Sequence, residues 1–459
     1  MKALVALPAL CVASLTATTT VADITVDQAF DKIMAMMQID GNTNATYGRV
    51  DNNGSSLVVH QVDLSFQDPQ ITVNAKIDTI TFDDLGDGTV RVEYADTMPI
   101  VIESNDPSVE FQATMRMVQS GAYYVLSGTP EDTTYEFSAP ETTLTLDNLT
   151  SANADTTASA TVTMTGGSGH YNATTDTMLN FDMSYSMENL TADVAFHDAE
   201  SGEGVKFNAQ MAGLKSSGMF AIPTDPSAID QTNPFGSGML FDMETSFANF
   251  EYAMNAMADD GAVDITFTAD RGRLDTALDK DRLDYATSVS DVDMAVSIPQ
   301  AFPLPIKITA DELGMVWKMP LGKDVRGDYE IGTSLRNINV DENLLNMFDP
   351  GQIIPRDPIT VAFDLSGQAM WYFDLFNPEE ADKIDQGETP GEIYSAKLQG
   401  LEVRAAGAEL TGQGDFTFDN TDRHTIPGMP RPQGQLALKL VGANALMDRL
   451  IQMGLISDD

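Results

Sequence analysis

The chain has 459 residues, 42% of them hydrophobic, and sets 69 acidic side chains against 25 Lys and Arg for a formal charge of −44. That field repels nucleic acid and anionic lipid headgroups, which excludes them as direct partners. The hydrophobic fraction in turn excludes a disordered acidic chain. The acids are spread along the sequence, which fits a heavily hydrated surface. Clustered calcium sites are the sharper alternative.

Residues 1–22 read as a cleaved leader. Lys2 is the positive start, Ala3–Leu15 the apolar run, and Thr20-Val21-Ala22 the small-residue cleavage site. The run is shorter than the roughly 20 apolar residues a membrane span needs. The single cysteine, Cys11, lies inside it, so the mature chain is expected to hold no thiol and no disulfide. With no later apolar run of spanning length, the expectation is a soluble periplasmic or secreted protein.

Thr25–Ile39 is the one early helix, with Val26, Phe30, Ile33, Met34 and Met37 on one face and Asp40-Gly41 as its stop. Such a Met-rich stripe reads as core, or as a lid over an apolar ligand. Strands begin at Ser56. Val62, Leu64 and Phe66 alternate with polar residues, and Ile71, Val73, Ala75 and Ile77 follow the Asp68-Pro69 break. Gly86-Asp87-Gly88 turns the chain into Val90, Val92 and Tyr94. Further strands are expected over Val109–Val118, Tyr123–Ser127, Tyr135–Ala139, Thr142–Leu149 and Thr157–Thr165, with Gly166-Gly167-Ser168-Gly169 as a turn.

Thr177–Phe196 shows the pattern most plainly. Phe181, Met183, Tyr185 and Met187 alternate with polar residues, and Ala192, Val194 and Phe196 resume after a break at Asn189-Leu190. Leu146–Thr150 and Met187–Thr191 echo each other as a strand-bend-strand unit. Pro223–Gly238 is the best linker, dividing an N-terminal region, 23–222, from a C-terminal one, 239–459. Phe250, Tyr252 and Met254 face Ile265, Phe267 and Ala269 in another hairpin across Asp259-Asp260-Gly261, and Val289–Ile298 alternates again. Without strand–helix–strand alternation, the fold class is mainly β. It is a long, twisted, curved antiparallel sheet, as a half-pipe or as stacked sheets, with a short covering helix at each end.

Catalytic patterns are absent from this sequence. His60, His170, His197 and His424 lack zinc-ligand spacing, there is no G-x-S-x-G elbow, and acid pairs are too common to single one out. No cofactor is expected. Asp40–Thr46 and Asp51–Gly54 read as turns because neither completes a calcium loop. Trp371-Tyr372-Phe373 with Phe376 is the densest aromatic group, either one wall of a groove or a local core under Asn377–Asp385.

The carboxy-terminal third carries a resemblance. Met347-Phe348-Asp349-Pro350, Ile354-Pro355-Arg356-Asp357-Pro358 and Phe363–Gly367 form one block; Gly412–Thr421, Ile426–Pro432, Gly434–Gly442 and Asn444–Leu455 form the second. Over about the last 120 residues these resemble the domain of unknown function 2125 family, secreted proteins of Gram-negative bacteria. The family carries no assigned activity, and its members usually continue beyond the point corresponding to Asp459. Physically the blocks read as structural: Pro350, Pro355 and Pro358 stiffen the loop around Arg356, which is expected to tie to Asp357. An anion clamp is the functional alternative for Arg356. Arg431 completes the motif set. Asn444 is expected to cap the closing helix, residues 444–455.

The resulting expectation is a non-enzymatic envelope protein presenting an apolar inner face. The architecture is similar to the lipid-holding grooves of AsmA-like envelope proteins. Groove candidates are Met183, Met187, Met254, Met294, Trp371 and Phe373, with a lipid or other apolar ligand as partner. A self-filled β protein that binds an envelope partner is the alternative, and a polysaccharide-active hydrolase stands behind both.

Overall fold

The computed structural model describes residues 23–38, 42–106, 111–151, 156–230, 233–258, 261–302 and 304–457. The expected leader, residues 1–22 with Cys11, and the expected helix stop at Asp40-Gly41 lie outside them. The protein is mainly β; among the described residues there are 23 strands, paired antiparallel, and four short α-helices. In chain order come α1 (Val26–Met36), β1 (Thr43–Thr46), β2 (Val50–Asn52), β3 (Ser56–Gln67), β4 (Ile71–Asp84), β5 (Val90–Tyr94), β6 (Thr97–Ser104), β7 (Phe111–Ser120) and β8 (Tyr123–Gly128). The long strands β9 (Asp132–Ser151), β10 (Thr156–Thr175), β11 (Met178–Asp198) and β12 (Gly204–Pro223) follow. Then come β13 (Leu240–Phe247), β14 (Asn249–Ala258), β15 (Gly261–Ala269), β16 (Arg271–Leu278), β17 (Arg282–Ser297), β18 (Ile306–Pro320) and β19 (Gly327–Val340). The chain finishes with α2 (Glu342–Phe348), β20 (Ile359–Trp371), α3 (Pro378–Asp385), β21 (Gly391–Ala405), β22 (Ala408–Asp419), β23 (Arg431–Val441) and α4 (Ala443–Gln452). Two compact units result: Met1–Pro226 with Phe247–Asp264, and Ser227–Ser246 with Ile265–Asp459.

In the first unit the strands form a meander. β3 pairs β4; β4 pairs β5 along one half and β6 along the other; β8 and β7 continue those halves onto β9. β9 to β12 then pair in sequence and β12 passes to β14. Tyr135–Ala139 and Thr142–Leu149 are therefore one strand, β9. The glycine run 166–169 lies in mid-strand in β10, and the reversal comes at Asp176 and Thr177 instead.

Those glycines mark a line along which the apolar alternation changes phase. In β3 the buried residues are Leu57 and Val59, then Val62; in β4 they are Phe82 and Ile80, then Ile77. In β10 the apolar set passes from the buried Tyr171 and Ala173 to the half-buried Met164 and Val162, and in β11 from the buried Met187 to the half-buried Leu190. Gln61, Gly121, Gly166 and Gly213 occupy the left-handed region at the slips in β3, between β7 and β8, in β10 and in β12. One left-handed residue breaks the pleat, and the alternation resumes one residue out of step, so the same face stays apolar. The second unit repeats the device with Asp291 in β17 and Asn337 in β19, both left-handed. Asn and Asp tolerate that region best after glycine. In β17 the apolar set accordingly shifts from Tyr285 and Val289 to Val292 and Met294.

Thr25 caps α1 through a reciprocal pair with Gln28. Val26, Ala29 and Ile33 of α1 pack into a core with Leu57, Val59, Ile80 and Phe82. Phe30 meets the Phe82 ring edge-on at 5.9 Å. Tyr135 and Tyr171 stack at 4.4 Å in the same core. An 11-residue helix is about 16 Å long, whereas 20-residue strands such as β10 extend about 65 Å. α1 therefore covers only one end of the apolar face. In the second unit β17 to β23 pair in sequence. The closing helix α4 starts from Gly442, left-handed and without a side-chain cap, rather than from Asn444, and buries none of its residues.

Candidate apolar binding face

Beyond the slip line the apolar face of the first unit continues from Met98, Met117 and Leu144, which still pack with the α1 core, toward an open end. Met117 pairs Leu144, Leu144 pairs Val162, and Ala192, Ala209 and Tyr252 continue the row. The next row passes from Met115 and Leu146 through Val194 and Phe207 to Met254. The face opens along its length: Met98 and Met117 are buried, but Phe196 is 43% and Val205 40% exposed. Six methionines lie on it, at 98, 115, 117, 164, 211 and 254.

The row nearest the slip line holds the one polar interruption. Gln119 pairs Thr142, which pairs Met164, then Leu190, Met211 and Phe250. Gln119 is 3% and Thr142 4% exposed. Yet the Gln119 Nε2 and Oε1 and the Thr142 Oγ1 have no hydrogen-bond partner. An unmade bond from a buried amide or hydroxyl costs about 1–3 kcal/mol. The apolar face therefore holds an amide and a hydroxyl whose hydrogen bonds are unmade, and an uncharged group would meet them only if these side chains turned out of the core. Sequence reasoning missed this pair. The signal was there in polar residues at apolar-phase positions, Gln119 after Met117 and Thr142 before Leu144.

The groove candidates separate. Met183 packs against the covered core and Met187 is buried beside the slip line, whereas Met254 stands on the open face, paired with Phe207. Met294 belongs to the second unit, paired with Ile308. Trp371 and Phe373 sit in a packed corner of that unit. The Trp371 indole donates to the Pro320 carbonyl at 2.7 Å, and Lys383 of α3 lies over the buried Phe373 ring. Tyr372 and Tyr394 both donate to Glu392, whose carboxyl they hold below its usual range.

Asp349 and Arg356 form a loop clasp. Arg356 does not tie to Asp357; its Nη2 donates to the Asp349 carbonyl at 2.7 Å and lies 3.3 Å from the Asp349 carboxylate. Asp349 also accepts from the backbone N–H of Ile353 and Ile354. Burial pushes its carboxyl up, but those N–H groups and Arg356 outweigh it and hold the group below its ordinary value. Pro355 and Pro358 flank the clasp, while Arg431 starts β23 and pairs Asp419 and Asp422. Of the histidines, His60 lies beside Asp51 and Arg49, and His170 beside Ser184. Among the described residues no three His, Cys, Asp or Glu side chains converge on a metal-sized site, and no helix is long and apolar enough to cross a membrane. No family model, curated protein or solved structure matches the chain.

Proposed function

We propose that this is a non-enzymatic envelope protein of the periplasm that holds the acyl chain of an uncharged-headed lipid on the open apolar face of its first unit. The observation that carries the reading is that face itself, continuing in register across β7, β9, β10, β11, β12 and β14 past the end of α1. Exposed apolar areas beyond a few hundred Å² mark sites of interaction rather than idle surface. Methionine suits a mobile chain because its unbranched, polarizable side chain adapts to varied shapes.

Gln119 and Thr142 favour an amphiphile over a protein partner. Their unpaired groups at the covered end match an ester or hydroxyl, and the acidic surface argues against an anionic headgroup. The resemblance to the domain of unknown function 2125 family and the leader agree with an envelope location. Uptake of a fluorescent-tailed diacylglycerol tests the reading. Ala192→Glu and Phe207→Glu, which put a charge on the open face, are expected to abolish uptake while leaving the α1 core folded. Unchanged uptake in both variants contradicts it.

A further inference from the structure

Sheet edges expose unpaired main-chain groups, and proteins guard them with short strands, charges or bulges. The first unit follows that rule beside β3, whose outer side is covered by β1 and β2, four and three residues long. The second unit ends differently. Its last strand, β23, runs for 11 residues, pairs β22 on one side, and is exposed at every residue. Leu436, Leu438 and Leu440 alternate along it at 52%, 56% and 60% exposure. The central stretch, Gly434 to Leu440, carries a single charge, Lys439.

The main-chain groups on the free side can be assigned. A Cβ on Gly414 would lie 3.1 Å from the Gln435 carbonyl oxygen, and one on Gly412 3.5 Å from that of Ala437. The odd-numbered residues therefore turn their polar groups toward β22. Neighbouring residues of a strand turn theirs to opposite edges, so the N–H and C=O of Gly434, Leu436, Leu438 and Leu440 face away from β22. Pro432, in the same phase, has no N–H to offer. Gly442 leaves the strand in the left-handed region to open α4. These two stops lie equally far to either side of Ala437.

A segment bounded symmetrically fits a copy of itself. We propose that β23 pairs antiparallel with β23 of a second copy, about a two-fold axis at Ala437, and so continues the sheet from one chain into the next. In that register Leu436 opposes Leu438 of the mate and Leu440 opposes its Gly434, and the outward residues of the two chains exchange about eight hydrogen bonds. On the other face Ala437 opposes its own mate in the closest kind of pair, where a small side chain fits. Lys439 there meets Gln435 rather than a second lysine. Pairing about Leu438 instead would set the two Lys439 side chains diagonally together and run the ladder into Gly442. Charge favours the same edge. Asp and Glu make up 69 of the 459 residues, yet none falls between Asp422 and Asp448. Two copies at −44 each repel least where they bring no acids together. The proposal is independent of the acyl-chain reading, which concerns the first unit.

Sedimentation velocity on the purified protein across a concentration series tests it. An edge this short makes a small interface of the transient class, so monomer at about 1 µM and dimer at about 200 µM are expected, with Leu438 exposed in the dilute chain. Leu438→Pro removes an outward N–H without touching the ladder to β22, and should leave a folded protein that stays monomeric throughout. Ala437→Glu sets two carboxylates against each other on the axis and should weaken pairing about fivefold, and Ala437→Lys likewise. An equimolar mixture of the Glu and Lys variants should pair more tightly than either alone, because pairing about residue 437 brings the opposite charges together. A monomer at every concentration, a dimer unchanged in folded Leu438→Pro, or a mixture no tighter than its components overturns the proposal.

Discussion

Gly166 of β10 lies against Glu188 of β11 so closely that a Cβ on the glycine would fall inside the contact shell of the Glu188 Cγ. The two stand between the pairs Thr165–Asn189 and Ser168–Ser186, where the apolar phase slips in both strands. Gly166 supplies the left-handed backbone and the open space together. That slip keeps one face apolar from the α1 core to the open end, so the proposed binding face depends on it.

Gly166→Ala is accordingly expected to destabilise the protein by about 2–3 kcal/mol, combining the left-handed penalty of ~1–2 kcal/mol with the steric conflict. Gly202→Ala has the same backbone strain but nothing near its Cβ, and should cost about 1 kcal/mol. Denaturant midpoints at constant slope separate the two.

Replacing Gln119 and Thr142 together by Met and Val removes three unpaired buried polar atoms. Unfolding free energy of the ligand-free protein should rise by about 1–3 kcal/mol, because an apolar pair carries no unmade bonds. Diacylglycerol binding should weaken in the same variant. A stabilised protein with unaltered binding would confine the pair to a structural defect and remove it from the lipid site.

Stability is expected to be concentrated under α1. Leu57 is 2% exposed and Leu438, on the terminal strand β23, 56%. Leu57→Ala should cost about 2–5 kcal/mol, and Leu438→Ala no more than about 0.5 kcal/mol. Comparable losses at both sites, measured by chemical denaturation, would mean that β23 is covered in solution.

Alkaline pH should unfold the protein through its buried tyrosines. Burial raises the hydroxyls of Tyr94, Tyr135 and Tyr171 above their ordinary value near 10. Between the unfolded and folded values the unfolded chain gives up those protons and the native one keeps them, so stability falls as pH rises above about 10. Tyrosinate absorbance should therefore appear in step with loss of the folded signal. Tyr135→Phe, which removes one of the three protons, should shift that transition to higher pH.

The strands and their oily face were legible because alternation needs only neighbouring residues, as in Phe181 to Met187. The slip line was half legible. In β11 the break near Asn189 shows in the sequence, but in β17 Asp291 sits between two alternating runs that read as one. The glycines at 166–169 misled for a physical reason, since the same conformational freedom serves a turn or a close approach between strands. The sequence pairs Arg356 with its neighbour Asp357, whereas the loop that follows α2 folds back on Asp349 and brings Arg356 to it. The Gln119–Thr142 pair could not be assembled without register. Glu312, Arg336 and Glu402 lie on three strands and meet only because those strands pair as they do.

Native mass spectrometry of the protein released gently from its own envelope tests the central claim most directly. The acyl-chain reading predicts a near-stoichiometric mass increment that organic extraction identifies as an uncharged-headed lipid, and that is lost in Phe207→Glu. A protein that flies at its bare mass, and stays bare after incubation with diacylglycerol, would contradict it.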